Sequence, residues 1–137
     1  MTDARVSVAS AAHFILYVRD PRASVAFYRA VLAVAPRLDV PGMAEFELTS
    51  GAVLGLMPEA GIVRLLGEGL PSPDAARGVP RAELYLLVDE PGACHARALA
   101  AGAKELSALE PRAWGHDAAY SLDPDAHVLA FARVTHR

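Results

Sequence analysis

HFILYVRDP, residues 13–21, is an apolar, aromatic-rich run of strand length that closes on an acidic residue and a proline. Aspartate favours a helix N-cap and proline the first helical turn, so the stretch reads as a strand (His13–Arg19) feeding a helix. In that helix Val25, Tyr28 and Leu32 recur at spacings of three and four, giving one apolar face, and Pro36 ends it. The same pattern returns as ELYLLVDEP, residues 83–91. His13 precedes Pro21 by the same eight positions that separate Glu83 from Pro91.

Downstream the repeat continues. SGAVLGLM (50–57) lies over DAHVLAFA (125–132) without a gap, so Gly55 corresponds to Ala130. Strands are expected at Glu45–Leu48 and Ala52–Met57 in the first half. In the second they are expected at Ala82–Val88, Lys104–Leu106, Ala118–Leu122 and His127–Val134. A second helix runs through Ala93, Ala96, Leu99 and Ala100 and stops at Gly102. The stretch 58–80 carries four prolines and four glycines and reads as a connector with a helical turn near Ile62–Leu66. The order strand, helix, three strands thus occurs twice. A short module that cannot bury its own sheet face can bury it against its copy.

Alternation along each strand assigns faces. His13, Ile15 and Tyr17 share one side, as do Glu83, Tyr85 and Leu87. Phe14, Leu16 and Val18, with Leu84, Leu86 and Val88, point to the helices. The first face carries polar groups and must look into a cavity or water, because an unpaired buried carboxylate is costly.

Composition excludes several classes. With 137 residues, 53% hydrophobic and 21% charged, the chain suits one compact domain without disulfide staples. One cysteine, Cys94, cannot form an internal disulfide, which points to a reducing, cytoplasmic setting. No apolar run reaches membrane-span length. The N-terminus, Met1 to Ala12, lacks a leader's apolar core. A net charge of -3 with scattered arginines argues against a nucleic-acid partner.

HFILYVRD with SVAFYRAVL (24–32) resembles the first module of the vicinal-oxygen-chelate superfamily, which includes glyoxalase I, bleomycin-resistance proteins and extradiol dioxygenases. ELYLLVD, AAGAK (100–104), RAWGH (112–116) and DPDAHVLAFA (123–132) resemble the second, with Ala126 where the family's turn carries glycine. The resemblance covers nearly the whole chain. It implies an α+β fold of two βαβββ modules, about 10–58 and 81–135, joined by the connector at 59–80. The modules form a concave mixed sheet with helices on the outer face. It implies four metal-ligand positions on the inward strand faces. His13 and Glu83 fall on two of them; Gly55 and Ala130, which offer no ligand atom, fall on the others. Divalent metals usually need three or more protein groups, so His13 and Glu83 alone hold Zn²⁺, Ni²⁺ or Mn²⁺ only weakly, and no cofactor is expected.

His13 and Glu83 admit three readings: a hydrogen-bonded pair closing the sheet seam, an incomplete metal site, or a catalytic acid/base pair. Tyr17, Met57 and Tyr85 line the inward face. Trp114 is either a loop anchor or an aromatic wall for a flat ligand, with Arg112 as its anion partner. Gly55 and Ala130 permit close packing or leave room for a ligand. Cys94 is a small packing residue. His127 faces away from the pocket, and His95, His136 and the arginine-bearing tail are solvated.

Three functions compete. The first is a metal-free protein that binds a small organic molecule, as bleomycin-type resistance proteins do. The second is a metal-dependent lyase or isomerase resembling glyoxalase I. The third is a dimeric interaction module, since two copies paired about a two-fold axis complete each other's groove.

Overall fold

The computed structural model describes residues 8–136. Met1–Ser7, most of the stretch read above as leaderless, and Arg137 at the tail lie outside the described residues. Strand β1 (Ala12–Val18) leads into helix α1 (Pro21–Leu32), then β2 (Leu38–Val40), β3 (Met43–Thr49) and β4 (Ala52–Pro58). A connector holding α2 (Glu59–Leu66) and two 3₁₀ turns leads to β5 (Glu83–Leu87), α3 (Pro91–Ala100), β6 (Lys104–Pro111), β7 (His116–Leu122) and β8 (Val128–Val134). No helix among the described residues is long and apolar enough to cross a membrane.

The strands form two four-stranded sheets of identical order, β1-β4-β3-β2 and β5-β8-β7-β6. In each the first pair is parallel and the rest antiparallel, giving the α+β class that the family resemblance implied. The register repeats as well. His13 pairs with Val53 and Ile15 with Gly55; in the second sheet Glu83 pairs with Val128 and Tyr85 with Ala130.

Local sequence explains the helices. Asp20 Oδ1 accepts from Ala23 N at 3.2 Å, and Pro21 follows at a position where its missing N–H costs nothing. Glu90 stands at the same place before α3 but makes no side-chain cap. The buried stripe of α1 is Ser24, Phe27, Tyr28 and Val31, shifted from the stripe read in sequence; Val25 and Leu32 are only partly buried. The shift follows from what α1 covers: it packs on its own sheet and also against α3.

Of the strands, β6 outruns its expected end the furthest, and β2 has no expected range. β6 extends to Pro111, through register shifts at Glu105/Ser107 and Ser107/Glu110 that blur its alternation. β2 is three residues long and wholly exposed, too short to show a period.

His95 corrects the surface reading: it is 6% exposed, and its Nε2–H donates to Glu105 Oε2 at 2.8 Å. Helix α3 turns this residue onto the sheet beneath it, where a charged partner on β6 waits. Its Nδ1 and the hydroxyl of buried Ser121 have no hydrogen-bond partner.

Leu16, Val18, Phe46, Leu54, Leu84, Leu129 and Phe131 belong to one apolar cluster spanning both halves. One end of the seam between the halves is closed by polar groups. Tyr28 donates to Asp123 Oδ2 at 2.6 Å, and Ser24 to Asp125 Oδ2 at 3.2 Å. Arg19 pairs with Asp125 at 3.2 Å, and His127 Nε2–H donates to the Tyr17 carbonyl at 3.1 Å. His127, 8% exposed, is therefore a seam residue. Asp123 Oδ1 also accepts from the backbone N–H groups of Asp125 and His127, both at 2.9 Å, which shapes the turn before β8. Ala126 in that turn has φ 65°, a left-handed conformation that a β-carbon disfavours.

Burial first, and the Asp123 carboxylate second, hold the Tyr28 phenol well above the ordinary value of 10.0. Tyr28→Phe leaves Asp123 Oδ2 without this donor and should cost about 1–2 kcal/mol of unfolding free energy. The phenol keeps its proton longer in the folded protein, so its contribution is complete below pH 10.0 and is lost as pH rises through the folded value. Urea titrations should therefore show the gap between wild type and Tyr28→Phe narrowing above that pH. Ala126→Gly relieves the left-handed alanine and should raise stability by about 0.5–1 kcal/mol, read as a higher melting temperature.

Candidate functional site

The face of each sheet turned away from the helices carries the residues singled out in sequence. On the first sheet Glu45, Gly55 and Ile15 form one cross-strand row, and Met57 pairs with Tyr17 in the next but one position. Tyr17 and Met57 are half-buried, and Ile15 is 42% exposed. A β-carbon at Gly55 would meet Ile15 Cγ1 at 3.0 Å and Met43 Sδ at 3.5 Å. The space left by the missing side chain is thus taken by these two neighbours.

His13 finds its carboxylate on this same sheet. Its Nδ1 lies 3.6 Å from Glu45 Oε2, while Arg37 holds Glu45 Oε1 at 2.9 Å. Among the described residues no hydrogen bond or ion pair joins His13 to Glu83. Sequence reasoning missed Glu45 and Arg37. Glu45 becomes visible only once β3 is paired with β4, which sets it opposite Gly55.

The second sheet carries an aromatic and polar cluster. Trp114 Nε1–H donates to Tyr85 Oη at 3.0 Å, and the Tyr85 hydroxyl also shares a hydrogen bond with His116 Nδ1 at 2.6 Å. The Tyr85 and His116 rings lie 5.7 Å apart. Tyr85 is half-buried, whereas Trp114 is 57% exposed and offers a broad aromatic surface beside it. Tyr120, Ala130 and Tyr85 form one row, and the alanine is fully buried between the two tyrosines' strands. Burial, then the nearby Glu83 carboxylate, raises the Tyr120 phenol above its ordinary value. Glu83 itself is exposed at the start of β5.

Arg112 sits over the Tyr120 ring, 5.2 Å from its centroid. Its guanidinium donates to the carbonyls of Ala108 and Ala118 at 2.9 and 2.8 Å and to Ser107 Oγ at 2.7 Å. It also pairs with Glu110 at 3.3 Å. These contacts strap the irregular part of β6 to β7. The structure thus joins Trp114, Tyr85 and His116 in one network, with Tyr120 and Arg112 alongside, and sets His13 apart with Glu45.

The four corners marked for metal ligands by resemblance do not fit a metal centre. Gly55 and Ala130 provide no donor, no contact among the described residues joins His13 to Glu83, and His13 faces a carboxylate already held by a guanidinium. Among the described residues no group of three or more His, Cys, Asp or Glu side chains could hold an ion.

Comparison with known proteins agrees with this fold. A glyoxalase-related enzyme from Fulvimarina pelagi is 24% identical, with a TM-score of 0.76 over 89% of this chain and 86% of that one. A glyoxalase/bleomycin resistance protein/dioxygenase from Nocardioides is 21% identical, with a TM-score of 0.75 over 97% and 88%. A family enzyme from Burkholderia phytofirmans PsJN is 22% identical, with a TM-score of 0.74 over 90% and 97%. At these identities the likeness shows a shared fold. No curated protein matches the sequence. The family pattern of the Glyoxalase/Bleomycin resistance protein/Dioxygenase superfamily matches residues 10–131. With that match covering the first repeat and all but the end of the second, the chain belongs to the glyoxalase/bleomycin resistance protein/dioxygenase superfamily.

Proposed function

We propose that this protein is a single cytoplasmic domain that binds a small organic molecule with a flat aromatic body on the helix-free faces of its sheets, and needs no metal to do so. The observation that carries the reading is the Trp114–Tyr85–His116 network. An exposed indole is held in place by a hydrogen bond to a half-buried tyrosine, so its ring is preorganised as a wall. Ligand sites combine such apolar surface with a few placed polar groups. Here the polar groups are the Tyr85 hydroxyl, His116 and Glu83, with Tyr17 and Met57 as lining from the first sheet. The same donor set speaks against a lyase or isomerase of the glyoxalase I type, which would require a bound metal to polarise substrate oxygens. In this reading Glu83 serves as a polar contact to the ligand, while His13 is held with Glu45 on the first sheet, so the two are not an acid/base pair.

The exposed apolar side chains of that face favour a homodimer. Ile15 is 42% exposed, Leu87 60% and Trp114 57%, and a second copy about a two-fold axis would cover them and close the groove. Sedimentation should then give twice the chain mass, with Leu87→Lys shifting the protein towards monomer; a monomer at every concentration overturns this part.

A thermal-shift and fluorescence screen of aromatic natural products should give compounds that raise the melting temperature and change Trp114 emission. Trp114→Ala should weaken their binding roughly tenfold. Treatment with EDTA should leave affinity unchanged. A melting shift with Zn²⁺, Ni²⁺ or Mn²⁺ and with no organic compound would overturn the proposal.

A further inference from the structure

The two ends of the seam between the halves are related by the internal repeat, yet only one is closed. The helices superpose as Pro21 on Pro91, and the later strands as Gly55 on Ala130. Carried through, Tyr28 falls on Ala98, Ser24 on Cys94, Asp123 on Leu48 and His127 on Ala52. Tyr28, Asp123 and His127 fill and bond the closed end. Their counterparts are two alanines and a leucine, which cannot reach across. The result is a cavity of about 530 Å³ on the helix side of the seam, walled by Phe14, Leu48, Leu86 and Phe131, with Cys94 and Arg97 on its α3 side. Phe14 is 60% exposed at this cavity, although alternation points it towards the helices.

One charge serves the cavity. Glu47 touches its wall, but pairs with Val53 on the row of His13, so its side chain belongs to the opposite face. Arg97 is on the cavity's own side. Its Nε and Nη2 donate to the Val31 carbonyl at 3.3 and 3.2 Å, and Nη2 lies 3.6 Å from Cys94 Sγ. Among the described residues it pairs with no carboxylate, and Nη1 makes no hydrogen bond. The guanidinium is anchored by one edge and free at the other.

We propose that this open end is a second binding site, which takes an apolar monocarboxylate. The apolar body lies among Phe14, Leu48 and Phe131, and the carboxylate accepts from Arg97 Nη1. The volume is that of a small-molecule pocket, and a lone cation at an apolar wall selects a single negative head group. Most of this site lies on the helix side of the sheets, away from Trp114, although Tyr85 and Leu87 of the opposite face also touch its wall.

The chain's one cysteine and one tryptophan report separately on the two faces. Decanoate, kept below micelle formation, should slow alkylation of Cys94 by iodoacetamide in a saturable way. The slowing should reach roughly tenfold at about ten times the half-saturating concentration. Trp114 emission should stay unchanged, and decylamine should give no protection. Arg97→Gln, a change at an exposed position, should raise half-saturation roughly tenfold. Ala52→His, which carries over the closing side chain, should abolish saturable protection. The proposal is overturned if decanoate leaves Cys94 reactivity unchanged, or if decylamine protects equally. It also fails if Arg97→Gln lowers stability but leaves half-saturation as it was, since Arg97 then only caps α1. Protection that grows with protein concentration and without added acid would assign the cavity to a second copy and would equally overturn it.

Discussion

Each sheet has one apolar face, and a single helix of twelve or ten residues covers only part of it. The remaining area is buried where the halves meet. Val18, Tyr28, Val31, Leu54, Leu56, Leu129 and Phe131 are all 1% exposed or less, and they belong to one cluster drawn from both halves. Full burial of a large apolar side chain contributes about 1.5–3 kcal/mol, so this shared core dominates the favourable terms. Everything else is positioned by it. Apart from the open end of the seam, the helix faces are covered, and the opposite faces carry His13, Glu83, Tyr85 and Trp114.

The duplicated seam shows how a repeat can be kept in backbone and broken in side chains. Strand register is preserved between halves because a one-residue slip would turn every apolar side chain to the wrong face. Side chains at the seam are under no such constraint. At one end polar residues close the contact by hydrogen bonds among buried groups, where an unpaired partner would be costly. At the other, small residues leave a hollow that neighbouring side chains do not fill.

The helix-free faces divide their labour. The first sheet satisfies its own polar groups: His13, Glu45 and Arg37 form one cluster beside a glycine whose space Ile15 and Met43 occupy. The second sheet leaves its aromatic groups turned outwards. Arg112, read from its position in the RAWGH loop as a partner for an anion, instead bonds protein carbonyls and a serine hydroxyl. A bulged strand loses ladder hydrogen bonds, and a planar guanidinium with several donors replaces them.

By itself the sequence determined the element order, the duplication, the faces of β1 and β5 and the pairing of Gly55 with Ala130 in the repeat. These rest on local periodicity and on turn residues such as Asp20-Pro21, which act within a few positions of themselves. The sequence also brought Tyr85 and Trp114 forward as lining. Only the tertiary structure decided the partners. His13 faces Glu45 rather than Glu83, His95 is buried against Glu105, and His127 bonds the Tyr17 carbonyl. The Tyr28–Asp123 contact spans residues ninety-five apart. Such contacts depend on how sheets and helices pack across the chain, and no spacing along one strand encodes which side chain will stand opposite.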